Sequence, residues 1–244
     1  MDYKVIKNIK NHNKIQNEIS LPLWPEFMLH DTVALNKWSK LFELFSDYQF
    51  SLKFGDEFIG MANCIPLRWE QSFEELPEEG WDWAFKKGIA DREEKRSPNI
   101  LNGLQIAVDK KHQRKGVSSM ILREMKKLAK TKGFKYIIIP VRPSLKSLYP
   151  LISIDDYIDW QRDDGMLYDP WLRVHEREGG EIVKVCHRAM NITGTVNQWE
   201  NWTGLRFLQS GKYVVDGALN PVNIDIENNQ GYYIEPNVWV LHKN

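Results

Sequence analysis

A chain of 244 residues, of which 42% are hydrophobic and 27% charged, has the composition of an ordinary globular protein and suffices for one domain with a sizeable core. Its 33 basic and 33 acidic side chains cancel, which argues against a general nucleic-acid binder, because such proteins carry a basic excess. Two cysteines, Cys64 and Cys186, argue against a disulfide framework and favour reduced thiols in a reducing compartment.

The N-terminal residues 1–10 alternate apolar and charged side chains and lack the apolar core of a secretory signal. No stretch of the sequence approaches the ~20 apolar residues that a transmembrane helix requires. We therefore expect a cytoplasmic protein that does not bind a membrane.

The first third of the chain predicts a strand, a helix and a hairpin. Residues 1–9 are typical of a weak first strand. Asp31 is a candidate N-cap for a helix whose apolar side chains, within residues 33–45, recur at helical spacing. Residues 48–54 and 58–65 alternate as strands on either side of a Gly-Asp-Glu turn, and together they predict a hairpin.

Two long segments, residues 66–99 and 150–209, fit no simple pattern, and we interpret them as excursions from a single domain that spans residues 1–244. Candidate helices occur within both excursions, at residues 81–91, 152–160, 170–178 and 195–203. The tail alternates well over residues 222–226 and 232–241, and it predicts a closing hairpin.

The clearest segment predicts a strand, a turn, a helix and a second strand. Residues 104–108 are the first of these strands, and residues 109–115 are a polar, basic turn. From Gly116 onward, apolar side chains recur at helical spacing until Gly133, which stands where a C-cap glycine is expected. Residues 134–141 are strongly β-branched, which predicts a buried parallel strand, so the segment is a βαβ unit.

The turn of this unit is a candidate anion site. The unpaired amides and the dipole of a helix N-terminus attract anions, and Gly116 lets a bulky anion approach the backbone. Ser118 and Ser119 add hydroxyl donors. Four basic residues surround the same turn, namely Lys110, Lys111, Arg114 and Lys115. By themselves these residues fit either a polyphosphate site or a solvated basic surface, and they match neither a Walker A loop nor a Rossmann fingerprint.

Residues 104–118 resemble the CoA-binding motif of the GNAT superfamily of N-acetyltransferases. That motif is a strand that ends in an apolar residue, a short turn, and then Gln/Arg-x-x-Gly-x-Gly/Ala. Gln113, Gly116 and Ser118 stand at its three named positions, with Ser118 in place of glycine or alanine. The resemblance implies a larger, bacterial-type GNAT branch and an α/β fold, whose central mixed, mostly antiparallel sheet is flanked by helices. It also implies acetyl-CoA or another acyl-CoA as the co-substrate.

A second match covers fewer positions. Many GNAT members carry Asn-x-x-Ala-x-x-x-Tyr after the next strand, and here Arg142, Leu145 and Tyr149 occupy the three named positions. Only the tyrosine matches by type. On the resemblance, Tyr149 is the candidate catalytic residue, and it would protonate the departing CoA thiolate.

The resemblance further implies how the donor is held. The strand backbone at Ile106 and Val108 would pair with the pantetheine arm, in the manner of β-augmentation, and the Val108 N–H would stabilise the oxyanion. The implied cofactor-binding residues are Ile106, Ala107, Val108, Gln113, Arg114, Lys115, Gly116, Val117, Ser118 and Ser119.

The sequence does not identify a general base. Residues 103–108 contain no acid. The sequence does not single out a base among the candidate carboxylates elsewhere, which are Glu26, Asp31, Glu70, Asp169 and Glu176. No His-x-x-x-His, Cys-x-x-Cys or Gly-x-Ser-x-Gly pattern occurs, so we expect neither a metal site nor a serine hydrolase.

The predicted reaction is direct attack of an amine on the thioester, without a covalent enzyme intermediate, and acetyl is the acyl group we expect. A non-catalytic acyl-CoA sensor and an enzyme that modifies protein lysines or N-termini are the alternatives. A small-molecule amine is favoured as the acceptor if tryptophans wall its pocket, the candidates being Trp69, Trp81, Trp83, Trp160 and Trp171. The oligomeric state stays open, with a homodimer among the options.

Overall fold

The computed structural model of the protein describes residues 3–7 and 12–244. Within these residues one sheet contains nine strands, which are β1 (Lys4–Lys7), β2 (Gln49–Phe54), β3 (Glu57–Leu67), β4 (Ile100–Val108), β5 (Tyr136–Val141), β6 (Gly180–Gly194), β7 (Gly211–Tyr213), β8 (Val222–Asp225) and β9 (Gln230–Lys243). The α-helices are α1 (His12–Ile15), α2 (Thr32–Leu44), α3 (Gly80–Glu93), α4 (Val117–Thr131), α5 (Ile154–Ile158), α6 (Pro170–Arg177) and α7 (Val196–Thr203). Among the described residues, no helix has both the length and the apolar character needed to cross a membrane.

The sheet follows the order β1-β2-β3-β4-β5-β9-β8-β7. Every neighbouring pair in this order is antiparallel except β4 and β5, which run parallel. β6 lies on the opposite edge of β9 from β5, since residues 238–242 of β9 pair with both strands at once. This mixed, mostly antiparallel sheet with flanking helices confirms the predicted fold class.

Local signals in the sequence correctly place most of the elements. Asp31 caps α2, and its Oδ1 accepts the amide hydrogen of Ala34 at 2.7 Å. β2 with β3 and β8 with β9 form the two predicted hairpins, and α3, α6 and α7 lie at predicted positions. Of the predicted first strand, residues 4–7 are observed as β1, while residues 1, 2, 8 and 9 lie outside the described residues.

No pattern in the sequence predicts β6, a 15-residue strand in the middle of the second excursion. The register of β6 against β9 shifts between Ile182 and Lys184, and again between Cys186 and Met190. Each shift breaks the alternation of buried and exposed side chains on which a strand prediction depends. Residues 180–194 are therefore part of the central sheet.

The sheet separates two hydrophobic cores. One side, here called the α3 face, packs against α2, α3 and α7 and fully buries Leu41, Phe85 and Trp199. The other side, the α4 face, packs against α4, α5 and α6 and fully buries Ile121 and Met125. Burial of one such side chain is worth about 1.5–3 kcal/mol, so both cores hold the strands in place.

β4 and β5 separate soon after they meet. Their pairing is limited to Leu101 with Ile137 and Asn102 with Ile138. A register shift in the β3–β4 pair, next to Asn63, disrupts β4 at the level where this pairing ends. The two parallel strands thus diverge toward their carboxyl ends and leave a gap in the sheet.

Candidate active site

The connection from β4 to α4 is a turn whose backbone is open to solvent. Asp109 holds its start, because its Oδ1 accepts the amide hydrogen of Lys111 at 2.9 Å. Arg114 (φ 61°) and Gly116 (φ 77°) both adopt the left-handed conformation, and α4 begins directly afterwards at Val117. No atom of the described residues lies within 4 Å of the point that a Gly116 Cβ would occupy, beyond its chain neighbours. A ligand can therefore approach the backbone closely at this glycine.

The same turn concentrates positive charge beside a helix N-terminus. The first-turn amides of α4 have no acceptor within the helix, and the helix dipole adds to their attraction for anions. All four basic side chains of the turn are exposed, and these are Lys110, Lys111, Arg114 and Lys115. A diphosphate would meet backbone donors and cations together at this position.

The backbone of β4 presents further polar groups to the gap. The amide of Asp109 donates to the Ile59 carbonyl of β3 at 3.1 Å. Because the direction of hydrogen bonding alternates along an antiparallel pair, the N–H and C=O groups of Ile106 and Val108 point away from β3 and into the gap. An extended ligand in the gap would meet these groups as a neighbouring strand does.

Two side chains bound this stretch of backbone. The indole N–H of Trp81 donates to the Leu104 carbonyl at 2.8 Å. The side-chain amide of Gln113 donates to the Val108 carbonyl at 3.4 Å. Trp81 therefore occupies the inner end of the gap, near the β4–β5 pairing, and Gln113 lies at its outer end.

The gap opens into a cavity of about 370 Å³ that is lined from both faces of the sheet. Its apolar walls on the α3 face are Trp24, Trp81 and Met190. Its apolar walls on the α4 face are Met125, Ile139, Val141 and Trp171. The polar side chains in the lining are Gln105, Gln113, Arg142, Ser144, Glu235 and Asn237. A concave, mostly apolar site of this volume with a few polar groups is typical of small-molecule binding.

An ion pair between Arg142 and Glu235 supplies the charge in this cavity. The Arg142 Nε donates to Glu235 Oε1 at 2.5 Å, and its Nη2 donates to the Gly217 carbonyl at 2.5 Å. The Tyr233 hydroxyl donates to Glu235 Oε2 at 2.6 Å, so both carboxylate oxygens are bonded. The Arg142 guanidinium also lies 5.8 Å from the centre of the Trp24 ring, within the range of a cation–π contact.

Burial and pairing have opposite effects on this arginine. Burial alone disfavours the charge of Arg142, but the Glu235 carboxylate outweighs it and raises the pKa of the guanidinium. Glu235 itself has no exposed surface. The cavity therefore contains a guanidinium that stays charged, backed by a carboxylate that a ligand cannot reach directly.

Three of the predicted cofactor residues line the cavity, namely Ile106, Ala107 and Gln113. Val108 follows on the same strand, and the other six belong to the turn and the start of α4, which are Arg114, Lys115, Gly116, Val117, Ser118 and Ser119. The structure thus brings the predicted cofactor residues together along β4 and the turn. Of the predicted tryptophan walls, Trp81 and Trp171 line the cavity, whereas Trp69, Trp83 and Trp160 do not.

Tyr149 is not among the residues that line the cavity. Its hydroxyl lies 2.9 Å from the Tyr168 hydroxyl, and its ring packs edge-on against Trp160 with centroids 4.8 Å apart. The hydrogen bond with Tyr168 raises the pKa of Tyr149, so the phenol keeps its proton at neutral pH. Tyr149 therefore belongs to an aromatic cluster that also contains Tyr157.

The cavity is not lined by any of the candidate bases, which are Glu26, Asp31, Glu70, Asp169 and Glu176. Asp169 instead connects two segments of the chain. Its Oδ1 accepts the amide hydrogens of Trp171 and Leu172 at the start of α6. Its Oδ2 accepts the Leu145 amide hydrogen at 2.8 Å and the Tyr157 hydroxyl at 2.9 Å. Asp169 thereby fixes the loop after β5, beside the cavity.

Several residues of the cavity are not predicted by the sequence patterns, namely Trp24, Met190, Glu235 and Asn237. One signal was present, because Arg142 replaces the asparagine of the second motif. The partner of Arg142 is Glu235, 93 positions further along the chain, and no sequence spacing links the two.

The site combines a cationic turn, a strand with exposed backbone groups and a cavity. Comparison with known families identifies the class of protein to which this chain belongs. Residues 12–151 match the model of the Acetyltransferase (GNAT) family, and the chain belongs to that family. It is an acyl-CoA-dependent N-acyltransferase, which transfers an acyl group from acyl-CoA to an amine. Among its relatives is arginine N-acetyltransferase avaD of Aspergillus versicolor, 30% identical over 248 residues that cover 90% of this chain and 85% of the relative.

Solved structures share the same fold. The loading GNATL domain of CurA from Lyngbya majuscula superposes with a TM-score of 0.64 at 17% identity, covering 100% of this chain and 98% of that one. The GphF GNAT-like decarboxylase, solved with isobutyryl-CoA, superposes with a TM-score of 0.59 at 12% identity, covering 100% and 99%. At these identities the likeness establishes the GNAT fold alone.

Proposed function

We propose that this enzyme acetylates a small amine of the arginine type, with acetyl-CoA as the donor. The observation that carries the proposal is the cavity, which is lined by Gln113 of the cationic turn and by the ion pair of Arg142 and Glu235. Donor and acceptor can approach the gap in the sheet from opposite faces. The 30% identity to an arginine N-acetyltransferase supports this class of acceptor.

The donor side uses the turn and β4. Residues 113–119 bind the pyrophosphate through backbone amides, serine hydroxyls and basic side chains. Ile106 and Val108 pair their backbone groups with the pantetheine arm, as they would with an added strand. Ala107 and Gln105 then flank the thioester where the cavity crosses the sheet.

The proposed chemistry is a direct transfer. The acceptor nitrogen attacks the thioester carbonyl carbon, so that an N–C bond forms and the C–S bond breaks with its electron pair leaving on sulfur. The Val108 N–H stabilises the oxyanion. The proposed acid for the thiolate is Tyr149, whose phenol keeps its proton but which lies outside the residues that line the cavity. Among the residues that the structure describes, Glu235 is the one carboxylate in the cavity lining. Both of its oxygens already accept hydrogen bonds, so the proton of the amine passes to water.

The proposal extends to the setting of the enzyme. We place it in the cytoplasm, acting on a free small molecule and not on nucleic acid or a membrane surface. The two buried, unpaired thiols of Cys64 and Cys186 fit a reducing compartment, and the zero net charge gives no general attraction for polyanions. Light scattering after size-exclusion chromatography would distinguish a monomer from a homodimer.

Binding of acetyl-CoA tests the donor side directly. At ~100 times its dissociation constant, acetyl-CoA should stabilise the folded enzyme by roughly 2.7 kcal/mol, seen as a higher melting temperature. Gly116→Glu should abolish this shift, because it adds a side chain and a negative charge at the anion site. Thiol release across a panel of amines then separates a working enzyme from a non-catalytic binder.

Gly133→Glu is the matched control for this substitution. Gly133 lies just beyond the other end of α4, also has a left-handed backbone (φ 82°), and has open space where its Cβ would be. It therefore carries the same strain and charge far from the turn. If Gly116→Glu and Gly133→Glu leave the same acetyl-CoA shift, the turn does not bind the pyrophosphate.

A further inference from the structure

We infer that Arg142, held in place by Glu235, binds the carboxylate of the acceptor, so that the enzyme selects amino acids over the corresponding decarboxylated amines. This inference rests on the proposed function, because it assigns a role to residues in the same cavity. It concerns the selection of the acceptor and does not depend on which nitrogen of the acceptor is acetylated.

The position of Arg142 assigns it to the acceptor side. Ile138 on β5 packs into the core of the α3 face, and side chains alternate along a strand, so Arg142 projects to that same face. Tyr233 on β9 is buried in that core as well, and Glu235 follows it by two residues. The cationic turn belongs to the opposite, α4 face. Arg142 therefore lies across the sheet from the proposed pyrophosphate site.

The hydrogen bonds of Arg142 leave part of its guanidinium available. A guanidinium has five N–H donors in a fixed plane. Within the described part of the chain, Nε donates to Glu235 and Nη2 donates to the Gly217 carbonyl. The Tyr233 hydroxyl also lies against the guanidinium, and these three contacts leave further N–H donors of Arg142 unused. The side chain keeps 20% of its surface exposed, and it lines the cavity. A remaining N–H donor of the guanidinium can thus bind a carboxylate oxygen of a ligand in the cavity.

Glu235 positions the guanidinium and does not bind the ligand. Its carboxylate is completely buried behind Arg142, with one oxygen bonded to the arginine and the other to Tyr233. A buried arginine without such a partner would be strongly destabilising. Trp24 lies against the guanidinium, with its ring centre 5.8 Å away. The remaining walls, Trp81 and Met190, suit the aliphatic part of an amino acid.

The test compares amino acids with the amines that lack only the carboxylate. The pairs are arginine with agmatine, ornithine with putrescine, and lysine with cadaverine, each assayed for kcat/KM with acetyl-CoA. We expect the wild-type enzyme to prefer the amino acid of at least one pair. Arg142→Gln should lower that preference by roughly 10- to 100-fold, as the loss of a charge-assisted hydrogen bond implies.

Two further variants keep the test decisive. Arg142→Gln leaves Glu235 without its partner, so the double variant Arg142→Gln/Glu235→Gln removes both charges together and preserves the fold if the single variant does not. The acetyl-CoA thermal shift, which depends on the α4 face, reports whether each variant is folded. Arg188→Gln is the matched control, since Arg188 is an exposed arginine paired with Glu79 and does not line the cavity.

The outcomes separate the two proposals. A preference for amino acids that survives in a folded double variant overturns the role of Arg142 while the acetylation of arginine-type amines stands. A wild-type enzyme that acetylates the amines and rejects the amino acids also overturns that role. Acetyl-CoA binding without turnover of any compound in the panel overturns the proposed acceptor class, and the carboxylate site is rejected with it.

Discussion

The burial of Asp82 predicts that the protein loses stability as the pH rises toward neutrality. Asp82 lies in the first turn of α3, directly after Trp81, with 7% of its surface exposed. Burial, together with the nearby carboxylate of Asp31, raises the pKa of Asp82 to about 7, against the opposing charge of Lys86. Asp82→Asn replaces the carboxyl with a neutral group of nearly the same shape, so it removes the titration and keeps the packing.

The size of the effect follows from the two pKa values. The folded protein holds the Asp82 proton up to about pH 7, whereas the unfolded chain releases it near the ordinary value of 3.8. The stability that the protonated form contributes is complete below pH ~4 and is lost progressively up to about pH 7. Between pH 5 and pH 8 this titration lowers the free energy of unfolding of the wild type by about 2–3 kcal/mol, and Asp82→Asn should not show this loss.

Urea unfolding at pH 5 and pH 8 measures this difference, because all other titrating groups are common to the two proteins. Asp56→Asn is the control, since the Asp56 side chain lies in a turn and is fully exposed to solvent. It should lose stability with pH as the wild type does. If Asp82→Asn also follows the wild type, within about 0.5 kcal/mol, the burial of Asp82 does not govern its ionisation.

Two other substitutions test residues near the cavity. Asp169→Asn keeps the oxygen that caps α6 but cannot accept hydrogen bonds from both Leu145 and Tyr157. We therefore expect urea denaturation to show a loss of about 2–4 kcal/mol in the free energy of unfolding. A loss below about 0.5 kcal/mol would contradict the role of Asp169 in fixing the loop. Tyr149→Phe should lower kcat by at least roughly 10-fold if the phenol is the general acid, whereas Tyr168→Phe, which removes only its hydrogen-bond partner, should have a smaller effect. Equal kcat in the wild type and Tyr149→Phe would show that the thiolate takes its proton from elsewhere.

The parts of the fold that the sequence predicts well are those set by local signals. The βαβ unit around α4 depends on a glycine, a basic turn and two runs of regular periodicity, all within residues 104–141. The cap of α2 depends on one side chain and an amide three residues away, Asp31 and Ala34. In both cases the interaction that fixes the structure lies within a few residues, so the pattern is visible without knowledge of the fold.

The parts that the sequence does not predict depend on contacts between distant residues. β6 is a strand because it pairs with β9, and its two register shifts leave no periodic pattern to recognise. Arg142 and Glu235 meet because β5 and β9 are neighbours in the sheet. In the sequence Asp82 is an ordinary residue of a helical first turn, and only the fold shows that it is buried close to Asp31, the N-cap of α2. The sequence thus predicts the donor side of the site but not the acceptor side.

The place of β9 in the sheet affects how the chain acquires its structure during synthesis. β9 lies between β5 and β6, yet both neighbours precede it in the chain. Until residues 230–243 leave the ribosome, β5 has an unpaired edge and β6 has no partner strand at all within the described residues. A ribosome that stalls after β6 would therefore hold a nascent chain in which β5 has one unpaired edge and β6 is wholly unpaired. Such strands can pair with other chains or recruit chaperones. Translation speed through residues 195–243 should then influence the yield of soluble enzyme more than speed through the first hundred residues.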